Sequence, residues 1–454
     1  MRRWLPPLRS WRATRVQTPR LALGRRCFTS RAVEHVQVST ASAGEITVSL
    51  HNTEEHSSTS PLVLWIPPCS FCDGYDPAGL VPPRWLVEFP TVTLNYRWPG
   101  LFEDPKSAYS STPRQWPMPL HDISFGYQWV LQHLAPADLA RRDIYVYGSY
   151  LGASLAASLA LTESHAHEPM AIRGLIAYNG IYNWTTFLPD HPVNKPRDPP
   201  KGKKRFLPTL EDEPPPDPQP NNPFHLLRQQ SPLLFHDPSN LFDPFASPTL
   251  FFRTSGLLVP PDFHSSALDP VPSAFTSAVD ALSSGRTLQS SLENENETTR
   301  ASRKAYLTFP PRKSTLQIPP TLLLYDPPPP SYHTKSRSRL TTKRKRPEPK
   351  ADSFQAQASG LANSMIRSVE MFELKDRMKW DSTYEDPEVR VEEAERRVNV
   401  VEVEKYAEDG RDQGLEVLDL NAEGEGVARG WLRGRCDGEG DERFDVGEGV
   451  QRLS

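Results

Sequence analysis

Cysteine is scarce: only Cys27, Cys69, Cys72 and Cys436 occur in 454 residues. They are too few and too scattered for a disulfide framework, and a reducing compartment fits. Long apolar runs are missing too. None approaches the ~20 residues that a membrane-spanning helix needs, so a soluble chain with no transmembrane segment is expected. A net charge of −4 supplies no global field for gripping nucleic acid, which argues against that class of partner. Two further absences are local: no acidic residue precedes Glu34, and no histidine follows His333.

The first of these leaves Arg2, Arg3, Arg9, Arg12, Arg15, Arg20, Arg25, Arg26 and Arg31 unopposed among Trp4, Leu5, Leu8, Trp11, Val16, Leu21 and Leu23. An arginine-rich, acid-free opening with interleaved apolar residues has the composition of a mitochondrial transit peptide. Arg26-Cys27-Phe28 before Thr29-Ser30 resembles the cleavage pattern of matrix presequences, so residues 1–28 are expected to be the transit peptide and the mitochondrial matrix the destination. The plainer alternative is a basic tail that binds anionic surfaces.

What the chain has in excess is proline, 48 residues, beside 24% charged residues. Much of it therefore cannot form a packed core, and one domain with large insertions is expected. Residues 29–61 read as a lead-in, 62–431 as the domain and 432–454 as an acidic, glycine-rich tail. Insertions are placed at about 195–222, 267–303 and 327–352. Within the domain, short apolar runs alternate with amphipathic stretches, the pattern of an α/β fold with a parallel sheet. Strands are expected at Leu62–Ile66, Thr91–Tyr96, Asp143–Tyr147, Ile172–Tyr178, Ile318–Tyr325 and Arg397–Val403. Helices are expected over Leu120–Leu134, Ala153–Leu161 and Phe354–Trp380. Asp122 is read as an acid favouring the positive end of the first helix. The segment Asn240–Asp262 holds Leu241, Phe242, Phe245, Leu250, Phe251 and Phe252, too apolar for water, and is assigned to a partial cap over the sheet.

The third strand runs into Gly148-Ser149-Tyr150-Leu151-Gly152 and then into an alanine-rich helix. A strand, two glycines flanking a central residue, and a helix resemble the nucleophile elbow of the α/β-hydrolases, most closely of their hormone-sensitive-lipase-like branch. The resemblance spans roughly Leu62–Trp431. It implies an α/β-hydrolase-like, mostly parallel sheet flanked by helices, and a Ser, acid, His triad. The sequence departs from that triad at the serine and at the histidine. Tyr150 stands where the serine belongs, and with a usual pKa near 10 only ~0.1% of a free tyrosine is phenolate at pH 7. The family's histidine follows the last strand, where this chain has none; Arg429-Gly430-Trp431 falls nearest to that position, and a guanidinium is no general base. Asp326, after the fifth strand, aligns with the acid. Pro67-Pro68-Cys69-Ser70-Phe71 replaces the family's His-Gly oxyanion segment, and the prolines remove two N–H donors.

Cys69 and Cys72 have half the spacing of a metal site, but no second pair follows. No metal or cofactor is expected. The expected function is that of a pseudoenzyme in mitochondria, binding a protein partner or a small apolar ligand. Two alternatives stay open: a carboxylic-ester hydrolase with a non-standard nucleophile, and an RNA- or ribosome-associated protein working through the basic tract Lys335–Lys350.

Overall fold

The computed structural model describes residues 33–40, 44–68, 81–98, 114–137, 140–194, 223–266, 303–327, 353–403, 418 and 420–436. The expected transit peptide, residues 1–28, the Cys69/Cys72 pair, His333, the tract Lys335–Lys350 and almost all of the three expected insertions lie outside the described residues.

Eight strands form one sheet in the spatial order β1-β2-β4-β3-β5-β6-β7-β8. They are β1 (Val33–Ser39), β2 (Glu45–His51), β3 (Leu62–Ile66), β4 (Thr91–Leu94), β5 (Arg142–Ser149), β6 (Met170–Tyr178), β7 (Thr321–Tyr325) and β8 (Val398–Glu402). Only β2 runs against its neighbours; from β4 to β8 every pairing is parallel. Every residue of β3 and β7 is buried, because helices cover both faces of a parallel sheet. The flanking helices are α1 (Met118–His133), α2 (Leu151–Glu163), α3 (Pro223–Phe235), α4 (Phe354–Ser368), α5 (Pro387–Arg397) and α6 (Ala422–Cys436). This is an α/β-hydrolase-like sheet, as the sequence implies.

The six expected strands form within a few residues of their assigned ends. The sheet also takes in β1 and β2, so the segment 29–61 is not merely a lead-in. Val36 and Val38, then Ile46, Val48 and Leu50, alternate into the core, a two-residue period that marks half-buried strands. At the other end α6 continues through Cys436, so helix replaces the start of the assigned tail. The helix expected over Phe354–Trp380 runs as α-helix to Ser368, passes through a π-helical turn, Val369–Leu374, and resumes as α-helix over Lys375–Arg377. Asp122 is corrected as well. Helix α1 begins at Met118, which puts Asp122 beyond the first turn, fully buried. It accepts from the Arg97 backbone N–H (2.9 Å), Nε (3.0 Å) and Nη2 (2.5 Å), fixing the end of β4 to α1. A paired guanidinium, not the helix dipole, accounts for the buried charge.

His51 and His191 are both buried. Burial pushes each imidazole down to about 4, helped at His51 by His35 and at His191 by Lys304 and Arg253. Because the folded values lie below the unfolded value, these groups cost nothing above about pH 6.5. As pH falls from about 6.5 to 4, the unfolded chain takes up protons that the folded chain refuses, and stability declines. Replacing His51, whose Nε2 meets Thr93 Oγ1 at 3.2 Å, by Gln is expected to flatten that decline by about 2 kcal/mol. Urea midpoints at pH 7 and pH 4.5 for both proteins measure it; an unchanged slope would contradict the assignment.

Candidate functional site

The turn from β5 to α2 forces the backbone into a conformation that few residues adopt. Tyr150 has φ +50 and ψ −112, far from the regions open to side-chain-bearing residues, as a sharp strand-to-helix elbow demands. The flanking glycines are there for space. A Cβ on Gly152 would collide with the carbonyl oxygens of Ile66 and Pro67, and one on Gly148 with the Gly152 carbonyl and Ala156. The elbow is pinned from both sides: Tyr150 N–H donates to Tyr178 O (2.9 Å), and Leu151 N–H donates to Pro68 O (3.3 Å). In an acyl-transfer site the N–H after the central residue faces the oxyanion. Here that donor points at a backbone carbonyl.

The Tyr150 side chain is 1% exposed. Its ring meets Tyr178 and Phe354 edge to face, both at 5.7 Å between centroids, and Phe354 in turn meets Phe224 of α3 at 5.2 Å. Trp184, Phe187 and Phe235 continue this aromatic packing between the loop after β6 and α3. Aromatic side chains thus fill the region around the elbow tip.

The structure brings Tyr150 and Asp326 together through a residue that sequence reasoning missed. Asn179 follows β6 with φ +49, a left-handed position that asparagine tolerates better than most residues. Its Nδ2 donates to Tyr150 Oη (3.2 Å) and to Asp326 Oδ2 (3.0 Å), while its Oδ1 accepts from the Asp326 N–H (2.9 Å). Tyr178 Oη donates to Asp326 Oδ1 (2.8 Å). Burial, then the neighbouring Tyr150 and Asp326, hold the Tyr178 phenol well above its ordinary value, so it remains a neutral donor. The dipeptide Asn179-Gly180 just after a buried strand was the available signal, since it marks a backbone that needs positive φ.

Arg429 is not part of the cluster. It lies inside α6 rather than in the loop after β8, where its Nε pairs with Glu88 Oε1 at 2.8 Å; Arg433 pairs with the same carboxylate. The apolar segment Asn240–Asp262 is packed as expected, but beside α2 and the loop after β6. Phe245 O accepts from Ser158 Oγ (2.7 Å), and Ser247 Oγ accepts from the Trp184 N–H (2.9 Å). No described group of three or more His, Cys, Asp or Glu could hold a metal ion, and no described helix is long and apolar enough to cross a membrane.

No protein-family model matches this sequence, and no curated protein does. Comparison with solved structures finds carboxyl esterase 2 of the mycorrhizal fungus Tuber melanosporum, 13% identical over 67% of this chain and 69% of that one, with a TM-score of 0.33. A thermostable carboxylesterase cloned from a metagenomic library is 15% identical over 48% of this chain and 64% of its own, TM-score 0.31. A hyperthermophilic esterase of the archaeon Pyrobaculum calidifontis is 14% identical over 51% and 63%, TM-score 0.29. The chain spans less than two thirds of the latter two.

Proposed function

We propose that this chain is a mitochondrial pseudoenzyme built on an α/β-hydrolase-like fold, acting by binding a protein partner. One observation carries the reading: the elbow tip holds a buried tyrosine, ringed by aromatic side chains and hydrogen-bonded by an amide. A nucleophile must reach substrate; the Tyr150 side chain is 1% exposed, and Asn179 Nδ2 donates to its Oη. The Leu151 N–H given to Pro68 O supports the same reading, as does the absence of any histidine after the last strand. Packing around the elbow favours a protein partner over a small ligand seated there. Exposed apolar residues lie elsewhere, at Tyr306, Leu307, Met371 and Trp380. The arginine-rich, acid-free opening supports the mitochondrial address.

Purified full-length protein is expected to hydrolyse p-nitrophenyl acetate and butyrate no faster than buffer and to resist labelling by a fluorophosphonate probe. Turnover that vanishes in Tyr150→Phe would replace this reading with that of an ester hydrolase using a non-standard nucleophile. For location, residues 1–32 fused to a fluorescent reporter are expected to carry it into mitochondria; a diffuse cytosolic signal would refute the address.

A further inference from the structure

A second feature lies at the opposite end of the sheet from the elbow. Pro319 and Pro320 lead into β7, Ser164 follows α2, and between them opens a cavity of about 260 Å³. Its floor includes Ile318 and the two prolines. Its walls carry Arg173 of β6, Arg396 and Arg397 of α5, and Arg435 of α6, with Glu393 as the one acid.

Four arginines and one carboxylate line the cavity. Arg173 reaches Asp143 (3.3 Å), Arg397 reaches Glu373 (2.7 Å), and Arg396 reaches Glu393 (2.7 Å). Each of those acids is shared: Asp143 with Arg141 (2.7 Å), Glu373 with Arg377 (3.4 Å), and Glu393 between Arg396 and Arg397 (3.9 Å). Arg435 has no carboxylate partner among the described residues; it lies over the Trp431 ring, 4.4 Å from its centroid. Burial holds its guanidinium below the usual range, and Arg396 and Arg397 push the same way. Three arginine-bearing elements therefore converge on a partly enclosed space whose described lining carries more guanidiniums than carboxylates. Such an arrangement is stabilised by a doubly charged anion that several guanidinium forks can grip at once.

We propose that this cavity is a binding site for a phosphate-bearing small molecule, with the phosphate held by Arg396, Arg397 and Arg435 and a short carbon skeleton against Ile318, Pro319 and Pro320. The volume sits at the low end for ligand pockets, which suits a phosphomonoester of a few carbons. Neither the elbow nor its chemistry enters this assignment.

The test titrates full-length protein with inorganic phosphate and with glycerol 3-phosphate, followed by calorimetry and by thermal unfolding, against sodium chloride at matched ionic strength. Both phosphates are expected to bind and to raise the melting temperature where chloride does not. Affinity should fall about tenfold or more in Arg435→Gln and in Arg396→Gln, the latter on the half-exposed face of α5 and so safe for folding. Lys379→Gln, exposed and outside the cavity lining, should bind as wild type. Cosedimentation with phosphatidic acid vesicles that is lost in Arg435→Gln would assign the phosphate to a lipid headgroup; binding without cosedimentation assigns it to a soluble molecule. No phosphate binding above the chloride control, or equal binding by wild type and Arg396→Gln, overturns the proposal.

Discussion

Gly152→Ala is expected to leave little or no folded protein, a loss of more than about 5 kcal/mol. Ordinary overpacking of a core costs about 1–3 kcal/mol because flexible side chains give way. At Gly152 nothing flexible stands in the path. The added methyl would meet the carbonyl oxygens of Ile66 and Pro67 well inside 3.0 Å. Ile66 ends β3, which is paired along its length with β5 and also with β4, so its carbonyl cannot retreat without opening the middle of the sheet. The elbow cannot retreat either, since Tyr150 and Leu151 are tied to the ends of β6 and β3. Gly360, inside α4, has nothing within 4 Å of its would-be Cβ. Gly360→Ala should therefore stabilise by about 0.5–1 kcal/mol through helix propensity alone. Soluble yield and urea unfolding of the two variants side by side read the contrast. A folded Gly152→Ala protein with a near-native midpoint would mean that the elbow is looser than its contacts imply.

Gly148 and Gly152 make the fold legible in the sequence. A strand, a tight glycine-flanked turn and an alanine-rich helix form a pattern whose spacing follows from steric crowding, so it survives when the central residue changes. The parallel strands were equally readable, because burial on both faces demands uninterrupted apolar runs such as Leu62–Ile66 and Thr321–Tyr325. Strands β1 and β2 are harder to read, because about half of their residues are polar and the alternation of Val36 and Val38 is a weaker signal than the apolar runs downstream. Helix α5 was missed although Asp386 and Pro387 spell its start: Asp386 Oδ1 accepts from the Glu388 N–H at 2.9 Å, and Pro387 opens the first turn.

The candidate site was legible only at its landmarks. Tyr150 and Asp326 could be placed because each ends a strand in a known position of the pattern. Asn179 could not, since an asparagine in a turn has many ordinary uses and its importance lies in joining residues that are 29 and 147 positions away. Arg429 shows the opposite. Nearness in sequence to an expected motif is not nearness in space, and the guanidinium serves an ion pair with Glu88. The arginine-lined cavity was invisible to any local reading, because its walls come from β6, α5 and α6 and meet only after the sheet is assembled.

Asn179→Ala should destabilise the protein by about 3–5 kcal/mol, and the reasons can be separated. Part is backbone: at φ +49 alanine is worse off than asparagine or glycine by about 1 kcal/mol. The rest is polar. Removing the amide strips Asp326 of an acceptor for its N–H and of a donor to its Oδ2, and it takes the described donor from Tyr150 Oη. Hydrogen bonds to charged groups are worth about 1.5–3 kcal/mol, and a carboxylate left half-satisfied adds its own desolvation penalty. Asn179→Gly keeps the left-handed backbone and loses every one of these bonds, so it should recover only about 1 kcal/mol relative to alanine. Asn179→Asp keeps an acceptor for the Asp326 N–H but sets a second carboxylate against Asp326, and its stability should recover as pH falls and the pair takes up a proton. Urea denaturation of the three variants at pH 7 and pH 5 distinguishes these contributions. If alanine and glycine both unfold within 1 kcal/mol of wild type, as an order-of-magnitude bound on a single net hydrogen bond, the network is incidental and Tyr150 is held by its aromatic neighbours alone.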